Sequence, residues 1–153
     1  MRRYGPLGLI IVLATCRGSP PPELPAEPLA GFPAAQAGPD CAPWDGAAMT
    51  ILLSAESPHA DSIRPPYLRV SLWKSLDSLA GRTWRWPVEG SIGAASLCTG
   101  EDDCRAATTA IVWLEPVGPD SVIGGRLRLD FADRPTLAGS FRAPWRPRGG
   151  RCG

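Results

Sequence analysis

Residues 126–131 read Arg-Leu-Arg-Leu-Asp-Phe. Successive side chains of a strand point to opposite faces, so Leu127, Leu129 and Phe131 share one side and Arg126, Arg128 and Asp130 the other. A helix would scatter the two sets around its axis. A half-buried strand separates them cleanly, and the same texture recurs on either side of this stretch. Leu68, Val70 and Leu72 form a second stripe, with Arg69 and Ser71 opposite. Trp84, Trp86 and Val88 form a third, expected to face the core. Ala110 to Leu114 is continuously apolar, as a central strand would be. Leu137 to Ala143 sets Gly139 and Phe141 on one face. Ile51 to Ala55 supplies a first strand, and Ser91 to Cys98 a weaker one interrupted by glycine. Gly118-Pro119-Asp120 and Asp133-Arg134-Pro135 carry turn chemistry between the runs. Leu76 to Ala80 has room for a single helical turn. The expectation is an all-β domain over residues 41–153, an antiparallel sandwich or small barrel of about seven strands.

Composition narrows the class further. The chain has 153 residues and a formal net charge of +1, which suits one domain and lacks the basic footprint of a nucleic-acid binder. Lys74 is the only lysine, asparagine is absent, and Gly, Ala, Pro and Arg abound. A GC-rich genome produces that bias, so arginine and proline content alone signals no function.

The first sixteen residues carry an address. Met1-Arg2-Arg3 is a positive start, and Leu7 to Ala14 is a short apolar run. That run is too short to span a bilayer but matches the apolar centre of a signal peptide. Leu13-Ala14-Thr15-Cys16 then resembles the lipobox of bacterial lipoproteins, with Thr15 where the family carries Gly, Ala or Ser. The resemblance covers only these residues. It implies removal of a signal peptide, residues 1–15, and lipidation of Cys16, which anchors the protein in a membrane of the cell envelope. Arg17 lacks the acidic character that favours retention at the inner membrane, so the implied location in a two-membrane host is the outer membrane. An ordinary secretory peptide, releasing a soluble protein, is the alternative.

Cysteine parity supports lipidation. The five cysteines are 16, 41, 98, 104 and 152. An odd number in an exported protein asks where the extra thiol goes. Using Cys16 for the lipid leaves four, enough for two disulfides in an oxidising compartment. Cys98 and Cys104 are close, with a polar glycine-containing turn between them, so they are expected to pair. Cys41 and Cys152 then pair by elimination and staple the first ordered residue to the last.

Residues 17–40 hold seven prolines, many small residues and no apolar period. They read as a disordered tether, with residues 16–40 holding the domain off the membrane.

Chemistry is sparse. His59 is the only histidine, in Ser57-Pro58-His59-Ala60-Asp61-Ser62, where neighbours in sequence rarely supply triad geometry. No Gly-x-Ser-x-Gly elbow is present. Glu101, Asp102 and Asp103 lie inside the Cys98–Cys104 loop, but without calcium-loop spacing they read as a solvated hairpin tip. Nothing has zinc-ligand spacing, and neither a metal nor another cofactor is expected. Trp73 continues the Leu68 stripe on its opposite side, faces outward, and is the one candidate ligand platform. Arg142, Arg146, Arg148 and Arg151 surround Trp145 near the end of the chain and read as a solvated tail. The function expected is a lipid-anchored, non-enzymatic binding or scaffolding module. Its partners would be the membrane and an envelope protein or glycan, with no nucleic acid. An extracytoplasmic hydrolase, a carbohydrate-binding module and an inhibitor are the alternatives.

Overall fold

The computed structural model describes residues 18–56, 63–90, 92–118, 120–147 and 152. The alternating stripes become strands as expected. In chain order these are β1 (Ala34–Cys41), β2 (Ala47–Ser54), β3 (Tyr67–Leu72), the helical turn α1 (Leu76–Leu79), β4 (Thr83–Trp86), β5 (Gly93–Cys98), β6 (Cys104–Ala106), β7 (Thr109–Leu114), β8 (Val122–Asp130) and β9 (Leu137–Pro144). They form two antiparallel sheets, one ordered β1-β2-β3-β5-β6 and the other β4-β7-β8-β9. The protein is a β-sandwich, and neither sheet closes into a barrel.

The core lies between the sheets. Met49, Ile51 and Leu53 of β2 and Leu68, Val70 and Leu72 of β3 face Val112, Leu114, Leu127 and Leu129 of the other sheet, all with no solvent exposure. Burial of each such side chain contributes about 1.5–3 kcal/mol. Phe131, just past the end of β8, and Phe141 of β9 close the cluster. Continuously apolar β7 lies inside its sheet, between β4 and β8.

Three sequence expectations are corrected. First, residues 18–40 are not a disordered tether. Leu24 and Leu29 are buried, and β1 pairs with β2 from Ala34 to Cys41. The folded unit therefore includes residues well before Cys41. Proline does not prevent order here, because the segment draws its hydrogen bonds from strand edges and outward-facing side chains. Ser140 donates its N–H to the Glu27 carbonyl at 2.7 Å, and Leu29 donates to the Ser140 carbonyl at 3.0 Å. Arg126 donates to the Leu24 carbonyl, and the Ser140 hydroxyl to that of Ala26. Residues 24–29 thus form a strap across the outer face and free edge of the β4-β7-β8-β9 sheet. Trp113 lies opposite Arg126 on that outer face, yet is only 6% exposed. Beyond the strap, Leu29 enters the core and the chain crosses to the other sheet as β1. The Ala37 carbonyl points away from β2 and accepts the Arg146 N–H at 2.7 Å. Pro39, two residues on, shares that orientation, so its missing N–H falls on the edge, where strands tolerate proline.

Second, Val88 does not continue the Trp84 stripe. Trp86 is buried, but β4 ends there and Pro87 opens a turn that leaves Val88 85% exposed. Third, nine strands replace about seven. The additions are β1, hidden in the proline-rich segment, and β6, whose three residues are all exposed and so leave no apolar pattern to read.

Both expected disulfides are present, Cys41–Cys152 and Cys98–Cys104. The long bridge does not join the first ordered residue to the last. It ties the end of β1, midway through a hairpin, to residue 152, on the seam that β1 and β9 share.

Candidate functional site

Strands β1, β2 and β3 point their core residues inward, so their alternate residues form a polar outer face. Across that face lies a groove of about 300 Å³, lined by Gln36, Gly38, Asp40, Thr50, Leu52 and Arg69, with Ile63, Tyr67 and Arg146 around it. Register brings the central groups together. Thr50 stands opposite Ser71 and Leu52 opposite Arg69, while Asp40 sits one strand over beside Ala48.

Asp40 organises the groove. Its carboxylate accepts from the Thr50 hydroxyl, from the Cys41 N–H at 2.9 Å and from Arg69 Nη2 at 2.9 Å. Partial burial opposes ionisation, but these hydrogen bonds and the Arg69 charge outweigh it and hold the carboxyl below its ordinary value of 3.8. Ser71 extends the network to Thr50 at 3.1 Å. Arg69 remains half exposed, and among the described residues its side chain bonds only Asp40, through Nη2. Gln36 adds an amide, and Leu52, Ile63 and the Tyr67 ring supply apolar wall. The arrangement offers donors, an acceptor and a flat apolar surface together, as a site for a hydroxyl-rich ligand requires. It is poorly suited to acid–base catalysis. A carboxylate held ionised by an arginine is a weak base toward the Thr50 hydroxyl at neutral pH.

Asp103 and Asp130 are also held below the ordinary value. At Asp103 the main cause is the Thr99 hydroxyl, opposed by desolvation and aided by Arg134; at Asp130 it is the Thr136 and Thr109 hydroxyls. A carboxyl depressed in the folded state binds fewer protons there than in the unfolded chain, so its stabilisation is complete above the unfolded value and lost as pH falls through the folded one. The melting temperature is expected to be level above about pH 5 and to fall steadily below about pH 4. Asp40→Asn should flatten part of that fall, read by calorimetry across the acid range. A melting temperature that does not change between neutral pH and pH 3 would contradict the network.

The other sequence candidates fall in separate places. Trp73 is half-buried and meets Trp44 edge to face, with ring centroids 5.4 Å apart and planes at 77°. These rings are not coplanar, so they do not make a flat stacking platform for a sugar. The Cys98–Cys104 hairpin tip spends Asp103 on Arg134, at 2.9 Å, and on Arg105, at 3.4 Å. Arg142 pairs with Glu115 and Asp120 on the outer side of β9, whereas Arg146 reaches the groove. Cys16, residues 57–62 with His59, Arg148 and Arg151 lie outside the described residues.

The groove itself escaped sequence reading. Arg69 and Ser71 were legible as the outward side of a stripe, but Asp40 lay in the presumed tether. No local pattern joins residues 36, 40, 50 and 69. No protein-family model, curated protein or solved structure matches the chain.

Proposed function

We propose that this chain is a lipid-anchored, non-enzymatic module of the bacterial cell envelope, which presents the β1-β2-β3 groove to a hydroxyl-rich ligand such as an envelope glycan. The observation that carries the anchoring is the cysteine pairing. Cys41, Cys98, Cys104 and Cys152 are all used in disulfides, and Cys16 is the fifth cysteine, placed at the end of the lipobox-like Leu13-Ala14-Thr15-Cys16. Disulfides belong to oxidising compartments, which agrees with export. Acyl chains at Cys16 would anchor stably, because two or more chains exceed the marginal binding of one.

Expressed in a bacterium, the full chain is expected to partition into detergent and to gain the mass of its acyl chains after loss of residues 1–15. Cys16→Ala should abolish both. A soluble, unmodified wild type would refute the anchoring.

The binding half has its own test. Hydrogen bonds to charged groups contribute about 1.5–3 kcal/mol each. Arg69→Ala is therefore expected to weaken binding of soluble envelope oligosaccharides tenfold or more in calorimetric titration. A variant in the Cys98–Cys104 tip, Glu101→Ala, should bind as wild type. Equal affinity of Arg69→Ala and wild type would remove the groove from consideration.

A further inference from the structure

We infer that one end of the sandwich, bearing Trp44, Trp73 and Val117, rests on the lipid bilayer, so that the anchored domain is held directly against the membrane rather than displayed on a tether. This rests on the lipidation of Cys16 proposed above, and it follows from the position of Gly18 in the fold.

Gly18 is the first described residue, and a β-carbon there would lie 2.9 Å from the Gly81 carbonyl. Gly81 follows α1 and donates its N–H to the Leu114 carbonyl at 2.9 Å, at the end of β7. Gly18 thus sits at the end of the sandwich where β3 and β7 finish. Cys16 is two residues before Gly18. Whatever the conformation of Arg17, two peptide units span at most about 7.6 Å between α-carbons. A lipid on Cys16 therefore brings this end of the domain to headgroup level.

The same end carries apolar surface that the fold leaves uncovered. Among the described residues, the large hydrophobic side chains most exposed are Trp44, Val88 and Val117. Trp44 lies in the β1–β2 hairpin and packs against Trp73, just past the end of β3. Lys74 follows and sits over the Trp84 ring, whose Nε1 donates to the Leu79 carbonyl of α1. Val117 lies one residue beyond Pro116, whose ring approaches Gly81. Trp44 and Val117 thus share the end from which Gly18 departs, while Val88 follows the far end of β4. Tryptophan favours the boundary between water and acyl chains, where its ring is buried and its N–H stays wet. Lysine suits the same depth by extending its ammonium toward the headgroups.

Charge identifies the kind of surface. The charges at this end balance: Lys74, Arg82, Arg142 and Arg146 stand against Asp45, Asp77, Glu115 and Asp120, and Arg142 is paired with Glu115 and Asp120. Attraction to anionic lipid does not drive the contact. The tryptophans and the covalent anchor do, so zwitterionic phosphatidylcholine is sufficient and added salt has little effect.

The experiment uses the full, lipidated protein in phosphatidylcholine vesicles with brominated or ordinary acyl chains. Mass spectrometry first establishes acylation at Cys16. Brominated lipid is expected to quench wild-type tryptophan emission. Trp44→Phe with Trp73→Phe should lose most of that quenching, at an unchanged melting temperature. The quenching should persist at high salt. Acylated wild type with no quenching, or a double variant quenched as strongly as wild type, overturns the docking while leaving the anchor intact. Absence of acyl mass overturns the anchor, and the docking with it.

Discussion

Leu29→Ala is expected to lower the stability of the domain by about 2–5 kcal/mol, as for other leucines buried in a tight core. Leu29 is 4% exposed and belongs to the central cluster, although it comes from the proline-rich segment before the first strand. Its N–H donates to the Ser140 carbonyl, the Glu27 carbonyl accepts the Ser140 N–H, and Gly139 leaves Leu29 room: a β-carbon at Gly139 would stand 2.5 Å from the Leu29 α-carbon. Gly139→Val should therefore force the strap off the β9 edge by a second route, and overpacking of this kind typically costs about 1–3 kcal/mol. The most severe form of the prediction is a chain that starts at Cys41. It lacks β1, exposes Met49, Ile51 and Leu53 along the edge of β2, and loses Leu24 and Leu29 from the buried set. Since domains are stable by only about 5–15 kcal/mol, that chain is expected to show no cooperative thermal transition. Circular dichroism of the shortened and full chains decides the matter. Equal melting temperatures would return residues 18–40 to the status of a tether.

The second large effect concerns the two disulfides. In the loop-entropy description a bridge stabilises by restricting the unfolded chain, and more so for a longer loop. Cys41–Cys152 spans 111 residues and Cys98–Cys104 spans 6. The corresponding upper estimates are about 4.8 and about 2.4 kcal/mol. Cys152→Ser should thus lower the melting temperature well beyond Cys104→Ser. The native state points the same way. The short bridge closes a hairpin tip that β5 and β6 already pair, and Asp103 is further held there by Arg134 and Arg105. The long bridge retains the C-terminal residues along the β1–β9 seam, where the described backbone contacts are the Ala37–Trp145 bridge and the Arg146–Ala37 hydrogen bond. Non-reducing peptide maps should show the two pairings, and a larger loss from Cys104→Ser would contradict the entropic ranking.

These contacts gather at the seam between the two sheets. Neither sheet closes on itself, so β1 and β9 would leave open edges facing each other. The strap, the Ala37–Arg146 hydrogen bond and the long disulfide all act on that side. Open edges invite pairing with other chains, and covering them is a common defence. The strap therefore guards against association as well as contributing apolar burial.

The groove shows how a site is hidden from a linear reading. Arg69 declared itself as the outward partner of Leu68 and Val70, and Thr50 lies next to the apolar Ile51 run. Their proximity to Asp40 depends on the pairing of β1 with β2, and β1 has little of the signature of a strand. It contains Ala34, Ala35, Ala37, Gly38 and Pro39, residues of low strand preference. Its pairing is imposed by the free edge of β2 and by the seam it closes.

By itself, the sequence determined what depends on short-range order: the all-β class, the alternating faces of β3 and β8, the buried position of β7, the single turn of α1 and the pairing of Cys98 with Cys104. Each follows from side-chain periodicity or from nearness along the chain, which local geometry converts directly into structure. Tertiary structure alone decided that the proline-rich residues fold, that Val88 faces solvent and that Asp40 meets Arg69 and Thr50. Leu24 and Leu29 carry no periodic signal, and the partners that bury and hydrogen-bond their segment are roughly a hundred residues further along the chain. Only when β8 and β9 present an outer face and a free edge does that segment find a place where ordering it costs less than leaving it in water.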